Sequence, residues 1–408
     1  RHAHRGDYWT FWLSDMPSMG YRQYRLESNE NYAVNVSERV PESFSYENEW
    51  YRFDIDADEA AITSLYDKEL GLELVDQESK YGFGEFIHEE LGNRVELDQY
   101  YLESYSRSGL YDTVCFEAVP GPVFDLIRCT GDTPTANGER GFGLVIKPYH
   151  SEKRIDFTFT INKKLISDPE SIYIAFPFTL SDGEIHFDVA GGMIRAGVDQ
   201  LPGSSNDWNM VQNAAIVRNS DSQIVLGIHE APLMQFGAIN TGRFESGAVP
   251  KSTHMFGWPM NNYWITNFNA DQRGEFEWTY SLTSQKSTLN SHALLQPSAD
   301  RQPFITRLRA ASNDGNQMVS EGAMMAAVPE NIKMVTARPH PERASVLFHF
   351  RELDGLETAF QVQLTGSDDF TVYRTDVNGN RLDDAPVKQI NFKPFEAVFY
   401  EFDLSEEY

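Results

Sequence analysis

Cysteine is nearly absent from the sequence, because only Cys115 and Cys129 occur among 408 residues. Two cysteines exclude both a disulfide-rich scaffold and a cysteine-rich zinc module. They lie on two strand-like segments, 113–118 and 123–130, on either side of a Pro-Gly-Pro turn. We expect two free thiols. The alternative is a hairpin that brings them together as a disulfide, which would suit an oxidising compartment.

Basic side chains and long apolar runs are also scarce. The chain carries 34 basic and 61 acidic side chains, for a formal net charge of −27. Because phosphate contacts need clustered Lys and Arg, this balance argues against nucleic acid and against an anionic membrane surface as partners. No run approaches the roughly 18 apolar residues of a membrane-spanning helix. We therefore expect neither nucleic acid nor a membrane as a partner.

What the sequence does contain is repeated alternation of apolar and polar residues, which is typical of strands with one buried face. The clearest runs are 155–161, 172–178, 276–282, 360–364 and 398–404. Asn378-Gly379 predicts a hairpin between Tyr373 and Leu382. Strand–helix alternation, phosphate-binding glycine loops and heptads are missing, and the one helix predicted is a short one over 286–295. The predicted fold class is all-β, built from sandwiches of antiparallel sheets.

Two polar breaks divide the chain. The first lies near residues 43–48, and the second, 283–303, is polar, poor in aromatic residues and the best candidate linker. We therefore predict three parts: a short N-terminal β segment over 1–46, the remnant of a small β domain; a large β-sandwich over 47–290; and a smaller C-terminal β-sandwich over 291–408.

Several segments resemble the C-terminal half of family-38 glycoside hydrolases, the class II α-mannosidases. These segments are Met16-Pro17-Ser18-Met19-Gly20-Tyr21, residues 47–51 followed by 62–69, residues 173–178, residues 191–195 with 199–204, and residues 260–268. Their order and spacing carry the resemblance more than any single segment does. The resemblance covers nearly the whole chain.

The resemblance implies a galactose-mutarotase-like β-sandwich in the middle and a smaller sandwich at the end. It also implies a large enzyme that hydrolyses α-mannosides with retention, whose catalytic barrel precedes Arg1 and holds the zinc and the nucleophilic carboxylate. The family's zinc signature, a His-x-Asp in a Trp-rich context, has no counterpart here. We therefore assign no catalytic residue and no metal ligand to this chain, and expect zinc only in the absent barrel. The implied partner is the N-terminal catalytic part of the same enzyme.

Two aromatic and amide-rich segments, 256–268 and 199–208, are candidates for glycan binding. Aromatic faces suit the C–H face of a sugar ring, and amide side chains both donate to and accept from hydroxyl groups. The predicted carbohydrate-binding residues are Asp199, Gln200, Trp208, Trp258, Asn261, Asn262, Tyr263, Trp264 and Asn267. The competing interpretations are that the tryptophans belong to the core while the asparagines brace a turn, or that both segments contact the catalytic barrel.

Two histidine–carboxylate pairs offer other chemistry. His186 and Asp188 share one face of a strand, and so could hold a metal together. His229-Glu230 follows an apolar strand and could transfer a proton at a sugar's anomeric centre. The simpler interpretation places the first pair towards solvent or a cleft, and makes the second a polar pair at a strand end.

We therefore expect the non-catalytic C-terminal β region of an α-mannosidase-like glycoside hydrolase, which supports the catalytic barrel, rims its carbohydrate site and is inactive alone. One alternative is a free-standing carbohydrate-binding β protein. Another is an independent sugar epimerase or polysaccharide lyase on the same fold. A secreted, periplasmic or lysosomal-type compartment is expected rather than the cytoplasm.

Overall fold

The computed structural model describes residues 11–14, 16–17, 20–25, 39–40, 43–242, 249–267, 269–300, 321–323, 325, 328–363 and 370–404. The first elements are β1 (Gly20–Arg22), β2 (Arg39–Val40), β3 (Phe44–Glu47), β4 (Tyr51–Asp56), β5 (Ala61–Asp67), β6 (Leu72–Glu73), β7 (Phe86–Leu91), α1 (Val95–Asp98), β8 (Tyr105–Ser108) and β9 (Tyr111–Val119). Next come β10 (Leu126–Asp132), β11 (Phe142–Pro148), β12 (Ile155–Lys163), β13 (Glu170–Pro177), β14 (Glu184–Val189), β15 (Gly192–Arg195), β16 (Asn209–Met210), β17 (Ala214–Arg218), β18 (Gln223–Ile228), β19 (Leu233–Phe236), β20 (His254–Asn261) and β21 (Gly274–Gln285). The last are α2 (Asn290–Asp300), β22 (Glu321–Ala323), β23 (Ile332–Pro339), β24 (Ser345–Glu352), β25 (Thr358–Phe360), β26 (Thr371–Thr375), β27 (Ile390–Phe392) and β28 (Ala397–Asp403).

The chain divides into two compact units. The described residues within 34–288 and 292–301 form the large unit, and those within 1–33, 289–291 and 302–408 form the small unit. The predicted three-part division, with boundaries at residues 46 and 290, stays a prediction.

The large unit is a sandwich of antiparallel sheets. Its ten-stranded sheet has the order β15-β14-β17-β18-β21-β12-β11-β10-β9-β2, its six-stranded sheet the order β16-β19-β20-β13-β7-β8, and a third sheet the order β3-β4-β5-β6. Apolar side chains of the two larger sheets meet in one core, where the rings of Phe176 in β13 and Tyr280 in β21 lie 4.9 Å apart. The predicted all-β sandwich fold is confirmed.

The strand β13 is buried on both faces, although its sequence alternates. Ile172, Ile174 and Phe176 point into the sandwich core, while Tyr173 and Ala175 belong to a second apolar cluster. That cluster also contains residues of α1 and of the segment 256–263. The outer face of the six-stranded sheet is therefore covered, and this covered face lies beside the candidate site.

The small unit has a core of its own. Its four-stranded sheet has the order β23-β24-β28-β26, and β25 pairs with β27 and β1 with β22 in two small sheets. Phe348, Phe350 and Phe402 lie in its apolar cluster. The predicted hairpin is confirmed, because Gly379 N donates to Asp376 O and an isolated bridge joins Thr375 to Arg381.

The expectation of two free thiols is wrong. Cys115 and Cys129 are directly opposed on the neighbouring strands β9 and β10 and form a disulfide. The alternative interpretation therefore holds, because the hairpin register brings the two side chains together. A crosslink that closes a loop of this length stabilises a protein by roughly 3 kcal/mol in the chain-entropy account.

Three sequence-based details need correction. The described part of the predicted linker 283–303 contains regular structure, because β21 runs to Gln285 and α2 occupies Asn290–Asp300. The helix predicted over 286–295 therefore begins and ends closer to the C-terminus than expected. The strand predicted over 360–364 ends at Phe360, and Leu364 lies outside the described residues. Among the helices that the structure describes, none is long and apolar enough to cross a membrane.

Glu85 is a partly buried carboxyl group whose titration should affect stability. Burial raises the pKa of Glu85 to about 7, and the nearby carboxylate of Glu59 adds to the increase. An acid with a raised pKa in the folded state favours folding at low pH, and this contribution is lost as pH rises from about 4.5 through about 7. We therefore expect Glu85→Gln to raise the melting temperature at pH 8 and leave it nearly unchanged at pH 4.

The carboxamide of this variant can still accept the 2.7 Å hydrogen bond from Gly82 N. Melting curves between pH 4 and 9 check the prediction, with the exposed Glu275→Gln as the matched control. If the melting temperatures of Glu85→Gln and of the unmodified chain differed by the same amount at every pH, the prediction would be contradicted.

Candidate functional site

A pocket of about 230 Å³ opens in the large unit, lined by the loop after β15 and the segment after β19. We call it the amide pocket. Its lining residues are Ala196, Gly197, Gln200, Asn206, Asp207, Asn209, Phe236, Gly237, Ala238, Asn240, Val249, Pro250 and Lys251.

The first wall of the amide pocket is the loop after β15, and side-chain hydrogen bonds hold it in place. Gly197, with a φ of 73°, has the left-handed conformation that suits glycine, and its N–H donates to Gln200 Oε1 at 2.8 Å. Gln200 Nε2 in turn donates to Asn209 Oδ1 at 2.8 Å. Asp199 points elsewhere, because its Oδ2 accepts from Arg195 N at 2.8 Å. Gln200 is therefore a fixed lining group, and Asp199 braces the loop.

The second wall of the amide pocket is the segment after β19, and the buried side chain of Gln235 holds it in place. Gln235 Oε1 accepts from Asn240 N at 2.5 Å, and Asn240 Nδ2 donates to Phe236 O at 3.2 Å. The wall is thus tied to the end of β19. The lining as a whole offers four amide side chains, with one cation, Lys251, and one anion, Asp207. Hydrogen-bonding groups of both kinds and balanced charge suit a neutral, hydroxyl-rich ligand.

Three of the predicted aromatic residues, Trp208, Trp258 and Trp264, form a tryptophan cluster. Trp208 and Trp264 have ring centroids 5.3 Å apart, and Trp258 lies 5.8 Å from Trp208. Trp208 is 37% exposed and Trp264 half-buried, whereas Trp258 is 2% exposed. Trp208 stands in sequence between two lining residues of the amide pocket. Trp208 and Trp264 are therefore the aromatic residues with surface to offer a ligand.

Trp258 and Tyr263 are core residues. Trp258 Nε1 donates to Ser171 Oγ at 2.8 Å, and its ring stacks on Tyr173 at 5.6 Å. Tyr263 is fully buried, and its hydroxyl donates to Glu89. With their polar atoms satisfied inside the protein, neither side chain presents a face to a sugar. This placement matches the competing interpretation of the sequence.

The predicted asparagines also differ in burial, since Asn262 is buried and the other two are exposed. Asn262 braces the backbone: its Nδ2 donates to Ile166 O at 3.0 Å and Asp168 O at 2.9 Å, and its Oδ1 accepts from Glu170 N at 2.7 Å. Asn261 and Asn267 are exposed. Phe268, at the end of the predicted segment, lies outside the described residues, as do Ser18 and Met19 of the N-terminal motif.

A buried polar network lies under the aromatic residues and was not predicted. Glu89 in β7 is fully buried, and it accepts a hydrogen bond from Arg107 Nε at 2.5 Å and another from Tyr263. Burial raises the pKa of Tyr263, and the neighbouring Tyr173 and Glu89 add to the increase. The available sequence signal was the polar run His88-Glu89-Glu90 inside an apolar strand.

A second buried network centres on Glu170 in β13. His88 Nε2 and Thr135 Oγ1 each lie 2.8 Å from Glu170 Oε2, and Lys163 Nζ donates to Glu170 Oε1. All four side chains are buried. Although burial by itself raises the pKa of Glu170, hydrogen bonds from His88 and Lys163 bring it below its usual value. The arrangement is a buried ionic cluster that joins β7 and β13 of the six-stranded sheet to β12 of the ten-stranded sheet.

The His186 and His229 pairs do not form a shared site. Asp188 is buried and accepts from Asn213 Nδ2 at 2.5 Å, so the expectation that it faces solvent or a cleft is wrong. Burial and the nearby Arg218 lower the pKa of His186. Glu230 accepts from Thr279 N at 2.7 Å, as a polar side chain at a strand end does. Within the described ranges, no group of three or more His, Cys, Asp and Glu side chains is arranged to hold a metal ion.

Sequence reasoning missed Asp207, Asn209, Asn240 and Lys251, which line the amide pocket. They belong to two segments that approach each other only because β16 pairs with β19. Isolated polar residues in loops gave no periodic signal, so sequence spacing could not have selected them.

Comparison with known families gives a match within the large unit. Residues 46–234 match the family model described as the glycosyl hydrolases family 38 C-terminal domain. The predicted resemblance to the C-terminal β region of family-38 glycoside hydrolases is therefore confirmed. Among curated proteins, no sequence matches significantly.

Two solved structures from Enterococcus faecalis share the fold. An α-mannosidase from Enterococcus faecalis superposes with a TM-score of 0.65 at 12% identity, over 88% of this chain and 42% of that chain. A family-38 glycosyl hydrolase protein from the same organism gives 0.64 at 12% identity, over 88% and 44%. A galactose mutarotase-like protein from Lactobacillus casei gives 0.30 at 14% identity, over 60% and 100%. The chain thus spans less than half the length of the two Enterococcus proteins.

Proposed function

We propose that this chain is the non-catalytic C-terminal β region of an α-mannosidase-like glycoside hydrolase, which supports the catalytic barrel and rims its carbohydrate site. The observation that carries the proposal is the match of residues 46–234 to the family-38 C-terminal domain. The zinc and the nucleophilic carboxylate would then belong to the catalytic barrel, with glycans as substrates and neither nucleic acid nor a membrane as partner.

Exposed apolar side chains around the amide pocket support a covering partner. Leu201 is 79% exposed, Met210 64% and Trp208 37%, and Val249 at the pocket wall is also exposed. Large apolar side chains exposed close to a pocket are a feature of interaction sites. The occupant that fits is the remaining part of the enzyme, because this chain spans only 42–44% of the Enterococcus proteins.

The chemistry of the amide pocket supports contact with a glycan. Four amide side chains line it, and Trp208, which packs against Trp264, stands in sequence between the lining residues Asp207 and Asn209. An exposed aromatic ring beside amide groups is the combination that binds a hydroxylated ring with an apolar C–H face. These features also favour the second candidate, a free-standing carbohydrate-binding protein.

The disulfide supports an oxidising location. Cytosolic proteins rarely keep a structural disulfide, whereas secreted and periplasmic proteins commonly do. The buried Cys115–Cys129 bond is consistent with a secreted, periplasmic or lysosomal-type compartment.

Titration calorimetry of the chain with α-mannosides tests the rim assignment. We expect Trp208→Ala to weaken binding by about 3- to 10-fold, because an aromatic contact is lost. Gln200→Ala should weaken binding as well. Tyr111→Ala removes an exposed aromatic residue of β9 away from the pocket lining and serves as the matched control. Equal affinity in all three variants would contradict the assignment of the glycan site to the amide pocket and Trp208.

A kinetic test separates the supporting role from independent catalysis. The chain alone, with and without added zinc, should not hydrolyse 4-nitrophenyl α-mannoside. In an enzyme that also contains the catalytic barrel, Trp208→Ala should raise KM and leave kcat nearly unchanged, because a rim contact binds ground state and transition state alike. Turnover by the chain alone would refute the non-catalytic role, and mannoside binding without any effect in the complete enzyme would favour the free-standing binding protein.

A further inference from the structure

The small unit has a pocket of about 240 Å³ on one face of its four-stranded sheet. Phe348 and Phe350 of β24 point into the apolar core of the unit, so His349 between them points to the opposite face. The hairpin at Asp376–Gly379 contributes to the lining. This pocket lies outside residues 46–234, the range of the family-38 match.

The floor of the pocket is one continuous row of side chains across four strands. In the register of the sheet, Thr336 lies opposite His349, His349 lies opposite Phe399, and Phe399 lies opposite Thr375. The imidazole of His349 stacks on the ring of Phe399, with centroids 4.4 Å apart. The row therefore presents two hydroxyl groups and one imidazole on a rigid sheet, with an apolar ring between them.

Two polar atoms in this row lack partners. His349 Nε2 and Thr375 Oγ1 are buried, and neither has a hydrogen-bond partner among the described residues. Thr375 is 3% exposed. A buried polar atom left unsatisfied costs about 1–3 kcal/mol, and a ligand that forms a hydrogen bond with it recovers this cost.

The charges at the pocket favour a ligand that accepts hydrogen bonds. Arg338 lines the pocket, and its one described hydrogen bond, to Val377 O, is long at 3.4 Å. Burial lowers the pKa of His349, and the nearby cations Arg351 and Lys333 lower it further, so positive charge lies near the imidazole.

The one carboxylate in the lining is already occupied. Asp376 Oδ1 accepts from Asn378 N and Asn380 N, each at 2.9 Å, and Oδ2 accepts from Asn380 Nδ2 at 2.8 Å. These hydrogen bonds lower the pKa of Asp376 and tie its charge to the turn. Each polar side chain that remains for a ligand, namely Arg338, Thr336, Thr375 and His349, can donate a hydrogen bond.

We propose that this pocket binds a small anion through its oxygen atoms, either a free phosphate or sulfate ion or the acidic group of a sugar. Arg338 supplies the positive charge, and Thr375 Oγ1 and His349 Nε2 supply donors at the floor. The net charge of the whole chain is −27, so a local anion-binding site of this kind is not evident from the overall charge. The site is distinct from the amide pocket and does not depend on the proposed α-mannosidase role.

Calorimetric titration of the full chain at constant ionic strength tests the proposal, with sodium phosphate, sodium sulfate, sodium glucuronate and, as a neutral control, methyl α-mannoside. Thr375→Val is the informative variant because it keeps the shape and removes only the unpartnered hydroxyl. We expect it to weaken anion binding by at least about 10-fold, while urea unfolding shows stability equal to or above that of the unmodified chain. Arg338→Gln should weaken binding by a similar factor.

Arg374→Gln is the matched control, because Arg374 neighbours Thr375 on β26, carries the same charge and does not line the pocket. Its anion affinity should equal that of the unmodified chain. Binding of glucuronate alone would identify an acidic sugar as the source, and binding of phosphate or sulfate a free ion. Absence of binding by all three anions, unchanged anion affinity in Thr375→Val, or methyl α-mannoside binding that Thr375→Val weakens as much as it weakens anion binding would overturn the proposal.

Discussion

Glu170→Leu is expected to lower the free energy of unfolding by about 3–5 kcal/mol, because removing one member of a buried ionic cluster leaves the others without compensation. Lys163 is 4% exposed and His88 1% exposed, so water cannot replace the lost carboxylate. Thr135 Oγ1 loses its acceptor as well. Urea unfolding of the full chain, followed by circular dichroism, measures the loss.

A double variant shows whether the effect comes from the uncompensated charge. Lys163→Met combined with Glu170→Leu replaces the charged pair with apolar side chains, and should recover most of the stability lost in Glu170→Leu. Glu277→Gln, at an exposed position of β21, is the matched control and should change the free energy of unfolding little. If the double variant were as unstable as Glu170→Leu, charge compensation would not explain the cluster.

Trp258→Ala is expected to cost about 3–5 kcal/mol, because it opens a cavity in the buried aromatic cluster. Trp258 packs against Tyr173, Tyr263 and Trp264, with ring centroids 5.6, 5.9 and 6.2 Å away. Ser171 Oγ would also lose its hydrogen bond from the indole. The loss is measured by urea unfolding with circular dichroism, since removal of a tryptophan alters the fluorescence signal itself.

The comparison with Trp208 separates a core residue from a rim residue. Trp208 is 37% exposed, so Trp208→Ala should cost less than half as much stability as Trp258→Ala. Trp258→Phe should fall between the two because it fills part of the cavity. If Trp208→Ala and Trp258→Ala destabilised the chain equally, the assignment of Trp208 to a ligand-facing rim would lose its support.

Alternation of residues predicted most of the strands correctly. The runs at 155–161 and 276–282 lie in β12 and β21, which pair in register, because a period of two directs every second side chain into the core. The same rule predicted one buried face for β13 and missed the second, because the cover on that face comes from α1 and from 256–263, which are distant in the sequence. The strand predicted at 360–364 ended early for a related reason, since pairing with the short strand β27 extends only to Phe360.

The candidate site was predicted in part. Gln200 and Trp208 were selected by residue type; Gln200 lines the amide pocket, and Trp208 is adjacent in sequence to two of its lining residues. Trp258, Tyr263 and Asn262 were selected on the same grounds, yet they are buried and hydrogen-bonded inside the protein. An aromatic ring or an amide has the same chemistry in a core and in a binding site, so residue type cannot separate the two uses.

The sequence by itself determined the all-β fold class, the family resemblance and the acidic character, because periodicity, ordered motifs and charge can be read from the chain directly. Only the tertiary structure decided which tryptophans face outward, that Cys115 and Cys129 are bonded, and that Thr336, His349, Phe399 and Thr375 form one row. Exposure and proximity depend on how strands far apart in sequence are paired, and strand register follows from packing of the whole sheet and not from any local pattern.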